Sequence, residues 1–280
     1  MTCSETLPCP QLWTNADEAD SRLWLHCAHS AGTKKLIFSP DTDVYHVGLT
    51  IAPQLPGTEI VVQLTKTFRE GSKFLLLHHL LQALHSDPDL HGVPLHLRPQ
   101  ALQSLYVCTG CDYVSFFRGM GKVSFLSTFF QYSSFIAGGL EAPGSIGKVT
   151  LDSNFSAFLS FCRPVGVTYF RAHASAFEFP SPVTLYHSVT ASNANERHEK
   201  WLHIIRKAIW LRADTESMNM PSTTALRLHW RRSLWVIQMW NKCIENDIDM
   251  PSKLILVYYY LYMYVYAYHH SKCIHVSCRS

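Results

Sequence analysis

The chain has 280 residues, 47% of them apolar and 16% charged, with a formal net charge of +3. That is room for one large domain or two small ones, and the apolar content excludes a mostly disordered chain. The mildly basic balance, which 16 His can raise below pH ~6.5, permits nucleic-acid binding without arguing for it.

Residues 1–15 read as irregular around Pro8 and Pro10. Asp17 to Ser30 reads as a helix, with Leu23, Leu25, Cys27 and Ala28 as apolar positions and acids in the first turn, where the helix dipole favours them. Lys34–Ser39 is a short apolar run that reads as a buried strand ending at Pro40. Asp41 and Asp43 then lie just past its carboxyl end, where open α/β sheets gather active-site residues. Glu59–Thr67 alternates and is β-branched, so a second strand is expected there. Phe74–His85 reads as a helix, and Asp87–Pro99, with three prolines and a glycine, as a loop. Ala101–Cys108 is helix or strand and runs into Thr109-Gly110-Cys111-Asp112. Helical segments are expected on both sides of Gly119–Gly121, at Val114–Arg118 and Val123–Tyr132.

Ala137–Gly147 is rich in Gly and Pro and reads as a linker, and residues 151–179 give a mixed signal. Asn193–Leu211 and Ser222–Asn246 read as helices, with Ser222 as an N-cap. Leu254–Tyr268 carries fifteen apolar or tyrosine side chains and no charge. That falls short of the ~20 residues of a spanning helix, so a membrane partner is not expected. Its alternating tyrosines suit a β or aggregation-prone segment outside the main domain. Nine Cys without a repeating spacing, in a chain this apolar, suggest reduced thiols. The start lacks the apolar core of a secretory signal, so an intracellular location is expected, the nucleus included.

Three acidic clusters carry the chemistry: Glu18 with Asp20, Asp41 with Asp43, and Asp112. Alone, Glu18 with Asp20 reads as a solvated cap and Asp112 as a turn residue, whereas Asp41 with Asp43, following an apolar strand, reads equally as surface acids or as a site. Carboxylates gathered from distant segments are what Mg²⁺ or Mn²⁺ needs, because these hard cations prefer oxygen. Like charges repel, so such a cluster is tolerable when cations neutralise it. The third cluster leads into Arg118-Gly119-Met120-Gly121-Lys122. Backbone N–H groups at a glycine turn opening a helix can approach a phosphate, with Arg118 and Lys122 adding charge.

In this order, Glu18-Ala19-Asp20, Asp41-Thr42-Asp43, Gly110-Cys111-Asp112-Tyr113 and Gly119-Met120-Gly121-Lys122 resemble the internal region of the flap endonuclease and xeroderma pigmentosum G-type nucleases. The wording also looks like a group of uncharacterised, mobile-element-associated proteins abundant in invertebrate genomes, and residues 221–233 resemble the C-terminal part of that group. The resemblance implies a PIN-like α/β core, with a partial parallel sheet flanked by helices, over residues 15–135. It also implies a helix-turn-helix element gripping the DNA backbone. A linker and mixed segment over 136–192, a helical region over 193–250 and a low-complexity tail over 251–280 would follow.

The metal ligands it implies are Glu18, Asp20, Asp41, Asp43 and Asp112, for two Mg²⁺ or Mn²⁺ ions. Arg118, Gly119, Gly121 and Lys122 would contact DNA, and no small-molecule cofactor is expected. The expected activity is divalent-metal-dependent phosphodiester hydrolysis in DNA. In the family an N-terminal half adds further acids on a first strand. Only sixteen residues precede Asp17 here, so a partial metal site, in a truncated or decayed copy, is expected. The alternative is a catalytically inactive nucleic-acid-binding or interaction remnant of a mobile-element protein.

Two further patterns have a functional and a structural reading. Leu226, Trp230, Leu234, Ile237 and Trp240 fall at helical spacing, which favours a packed face over base stacking by Trp230, Arg231 and Arg232. Cys108-x-x-Cys111 beside His91 and His96 imitates half a zinc site but has no second Cys pair at finger spacing.

Overall fold

A computed structural model describes residues 10–15, 18–65, 71–137, 155–212 and 219–248. Apolar runs and helical periodicity alternate early in the chain, and the fold there is α/β. Strand β1 (Lys34–Phe38) pairs in parallel with β2 (Glu59–Gln63), Lys34 opposite Glu59 and Phe38 opposite Gln63. Parallel strands need a crossover, supplied here by helix α2 (Thr42–Ile51). Strand β3 (Phe74–Leu76) joins the other edge of β2 antiparallel, so the three-stranded sheet is mixed rather than parallel.

Two sequence expectations change here. Phe74–Leu76 is the strand β3, and the helix α3 begins only at Leu77 and runs to Ser86. A three-residue apolar run reads alike as strand or helix start, and the partner strand decides. Strand β1 is an edge rather than a buried strand. Ile37 points into the core, whereas Leu36 and Phe38 are 55% and 47% exposed.

Helix α1 (Ala19–His29) lies on α2 through the buried Trp24, whose indole N–H donates to the Val44 carbonyl at 3.0 Å. Gly48 permits that approach, since a Cβ there would stand 2.6 Å from the Trp24 ring. Helix α4 (Arg98–Cys108) also packs on α2, where Gln103 Nε2 donates to Thr50 Oγ1 at 2.8 Å. Asp20 on α1 and the end of α4 are thereby both held against α2, which carries Asp43.

Helices α5 (Lys122–Gln131), α6 (Ser133–Ala137), α7 (Phe155–Ala172), α8 (Pro182–Ser188), α9 (Ala194–Trp210) and α10 (Thr223–Asn241) complete the described chain. The segment with a mixed sequence signal is therefore largely the helix α7, which packs against α5 and α9. Asn193 and Ser222 cap α9 and α10 by accepting from the N–H groups of Glu196 and Ala225. On α10, Leu226, Trp230, Leu234, Ile237 and Trp240 are all buried, so this face is core and not a base-stacking surface. Truncating a side chain such as Trp240, fully buried here, costs about 3–5 kcal/mol.

The expected helix at Val114–Arg118 does not form. Gly110 adopts φ +117°, and Cys111 and Val114 exchange backbone hydrogen bonds at 3.0 and 3.1 Å, closing a tight turn with Asp112 and Tyr113 at its tip. The linker residues 138–147 and Leu254–Tyr268 lie outside the described residues.

Candidate metal centre

Each acid reaches the site by a local rule. Asp41 follows β1 as the N-cap of α2, its carboxylate accepting from the Asp43 N–H at 3.0 Å. Asp43 occupies the first turn of α2 and is buried, while Asp41 is exposed. Asp20 sits in the first turn of α1. Asp112 is carried by the tight turn after α4 and is exposed.

Electrostatics ties these segments together. The Asp20 carboxyl is pushed up to about 6 by burial and by the charges of Asp41, Asp43 and Asp112. Asp43 is raised by burial, with Asp41 and Asp112 adding to the rise and Tyr106 and Lys122 opposing it. Four acids from three distant segments are thus within Coulombic reach of one another. Glu18 joins that centre at its edge, where the charges of Asp20 and Asp43 add to the effect of burial. Its carboxylate accepts from Ser21 Oγ at 2.8 Å and from Trp240 Nε1 at 3.2 Å, and burial pushes it up to about 7.

The cation among them is Lys122, first residue of α5. Its Nζ lies 3.2 Å from the centre of the Tyr106 ring, and burial lowers its pKa while Asp43, Asp41 and Asp112 act to raise it. Tyr106 hydrogen-bonds both Asp43 and Thr42 and stacks on His46, with ring centres 3.5 Å apart. His46 is held neutral: its Nδ1 lies 2.8 Å from the Thr42 carbonyl, and burial drops its pKa to about 4.

The glycine turn opens towards solvent. Gly119 has φ +74°, Gly121 is the N-cap of α5, and a Cβ at either would meet nothing within 4 Å. Arg118, Gly119 and Gly121 are exposed, but the charge that acts on Asp43 is that of Lys122. Tyr113 and Phe116, 40% and 65% exposed, stand in the same loop.

The donor chemistry suits a hard divalent cation, since the centre offers carboxylate oxygens alone. The geometry is looser than the chemistry. Among the described residues no three His, Cys, Asp or Glu side chains stand close enough to share one ion. The same holds for Cys108, Cys111, His91 and His96 as a zinc set, and burial pushes the Cys111 thiol up to about 11.

Comparisons with family models, with curated proteins and with solved structures returned no match. The site therefore rests on its own residues. Among the described residues no helix is long and apolar enough to cross a membrane. Sequence reasoning missed Tyr106 and Trp240, the partners of Asp43 and Glu18. They stand 63 and 222 residues from the acids they contact, and no local pattern marks them.

Proposed function

We propose that this protein is a nuclease-like domain that binds the backbone of DNA and hydrolyses phosphodiesters with Mg²⁺ or Mn²⁺. One observation carries the reading: Asp20, Asp41, Asp43 and Asp112 converge from three segments, and beside burial the charges of Asp41 and Asp112 raise the proton affinity of Asp20 and Asp43. That is the electrostatic state of a site that gains by accepting a cation. Asp20, Asp41, Asp43 and Asp112 would hold it, with Glu18 behind them. A bound divalent ion supplies charge stabilisation for an attacking water and a leaving oxygen. Lys122 and the open turn at Gly119–Gly121 suit a backbone phosphate, and exposed Arg118, Tyr113 and Phe116 suit an adjoining strand. On this reading the family is that of the flap endonuclease and xeroderma pigmentosum G-type nucleases, with a PIN-like core, in the mobile-element-associated group. Its compartment is an intracellular one that holds DNA.

A second reading is a module that grips DNA without cleaving it. It is favoured by Lys122, an internal cation already placed over Tyr106 beside Asp43, and by the lack of a three-acid ligating group among the described residues.

Cleavage of flap and hairpin DNA in Mn²⁺ separates the two. Cleavage that vanishes in an Asp41→Ala/Asp43→Ala double variant supports the nuclease. Binding without cleavage, weakened by salt and by Lys122→Glu, supports the second reading. Failure to bind any nucleic acid sinks both.

A further inference from the structure

A cleft of about 1000 Å³ opens between α5, α6, α7 and α8, apart from the acidic centre. Phe130, Tyr132, Phe135 and Tyr186 line it, and Arg163 of α7 reaches into it. The bonding of Arg163 is unusual. Its Nε donates to His198 Nε2 at 2.6 Å and its Nη1 to the Phe135 carbonyl at 2.9 Å. His198 Nδ1 lies 2.7 Å from the Ala194 carbonyl, so that nitrogen carries the proton and Nε2 is a neutral acceptor. Neither partner offsets the positive charge.

Among the described residues Arg163 has no carboxylate within ion-pair distance, and its Nη2 has no hydrogen-bond partner. Among the described residues this half-buried guanidinium thus has spare N–H donors at the cleft. That is the fork that receives phosphate or carboxylate oxygens. Two aromatic rings brace it, with Phe135 and Tyr186 centres 5.2 and 5.9 Å from Cζ. His91 and His187 stand exposed on the lining, and Arg171 donates to the lining hydroxyl of Ser127 at 3.4 Å. One carboxylate, Asp89, opposes them from the same lining.

Size and lining narrow the ligand. Orthophosphate would leave most of this space empty, since cavities of about 300–1,000 Å³ suit whole small molecules. Half-buried Phe130 and Tyr132 are on the lining, and aromatic side chains there suit something planar. We propose that this cleft binds a nucleoside monophosphate group, its phosphate on the free face of Arg163 and its base against Phe130 and Tyr132. The group belongs either to a free nucleotide or to the end of a strand.

Calorimetric titration of the full chain with AMP, a 5′-phosphorylated trinucleotide, adenosine and inorganic phosphate tests this. AMP or the trinucleotide should saturate one site, and adenosine and phosphate should each bind about tenfold more weakly or worse. A tighter trinucleotide identifies a strand end as the ligand, and a tighter AMP a free nucleotide. Arg163→Lys, which keeps charge but loses the fork, should weaken binding about tenfold. His187→Ala, on an exposed position, should weaken it several-fold if Arg163→Lys does not fold. The Asp41→Ala/Asp43→Ala variant should bind AMP as the parent does, so that failure of the acidic centre and failure of the cleft read separately. Absence of saturable binding, phosphate binding as tightly as AMP, or unchanged affinity in folded Arg163→Lys and His187→Ala overturns the proposal.

Discussion

Tyr106 serves Lys122 and Asp43 at once: the ammonium lies 3.2 Å from the centre of its ring, and its phenol donates to the carboxylate. The ring therefore links Lys122, a cation acting on Asp43, to the most buried of the converging aspartates. Tyr106→Phe keeps the ring face and removes the hydroxyl, and with it the bonds to Asp43 and Thr42. The variant should lose about 2 kcal/mol of stability at neutral pH, the typical scale of a hydrogen bond to a charged group. The Asp43 pKa should climb further, because this bond holds it down. Denaturant unfolding and a carboxylate NMR titration measure both, and an unchanged Asp43 pKa would remove Tyr106 from the account.

The acids also set a pH dependence. Glu18 moves from 4.5 to about 7 and Asp20 from 3.8 to about 6 on folding, chiefly by burial. A raised carboxyl means that the folded state binds the extra proton. This stability is fully present below the unfolded pKa and is lost as pH rises through the folded one. The contribution of these two acids should therefore fall from pH ~4.5 to pH ~7.5, Glu18 alone accounting for about 2–3 kcal/mol, while the neutral His46 and His229 act in the opposite sense as pH rises from about 4 to 6.5. Glu18→Gln keeps an acceptor for Ser21 and Trp240 but cannot ionise. It should raise Tm at pH 8 and leave it unchanged at pH 4. Parallel pH profiles for parent and variant would refute the assignment.

Two glycines of the loop between α4 and α5 should respond differently to Ala. Gly110 needs φ +117°, and its Cβ would stand 2.5 Å from the Phe116 ring. Gly119 needs φ +74° but faces open space. Gly119→Ala should cost only the left-handed backbone, about 1–2 kcal/mol. Gly110→Ala should cost more and should also shift Asp112, two residues along the turn. Equal losses of Tm in the two variants would show that the Phe116 contact yields freely.

What the sequence conveyed depended on the range of the interaction. Ser222 was readable as a cap because its hydroxyl meets a backbone group three residues on. The buried stripe from Leu226 to Trp240 was readable because its period is local to one helix. The acids stood out as clusters, and their convergence followed from the order of strand and helix around α2. The edge position of β1 was not readable, because exposure of Leu36 and Phe38 depends on which strands pair. Arg163 was hidden likewise: its meaning depends on His198, 35 residues away, being a neutral acceptor.

The last prediction concerns Lys122 as a competitor for the cation. Four mutually repelling acids share one ammonium, which burial itself discourages from being charged. A divalent ion that binds the folded state alone stabilises it by RT ln(1 + [L]/Kd), about 1.4 kcal/mol at ten times Kd. Mn²⁺ should therefore raise Tm at pH 8 and do little at pH 5, where Glu18 and Asp20 are protonated. Asp43→Asn should abolish the gain by removing the central carboxylate. Lys122→Met removes the internal cation, so it should lower Tm without metal yet enlarge the rise on adding Mn²⁺. Thermal scans at matched ionic strength separate this from general screening, with Ca²⁺ and a monovalent salt as controls. A Lys122→Met variant whose response to Mn²⁺ equals the parent's would mean that the lysine and the metal do not share a site.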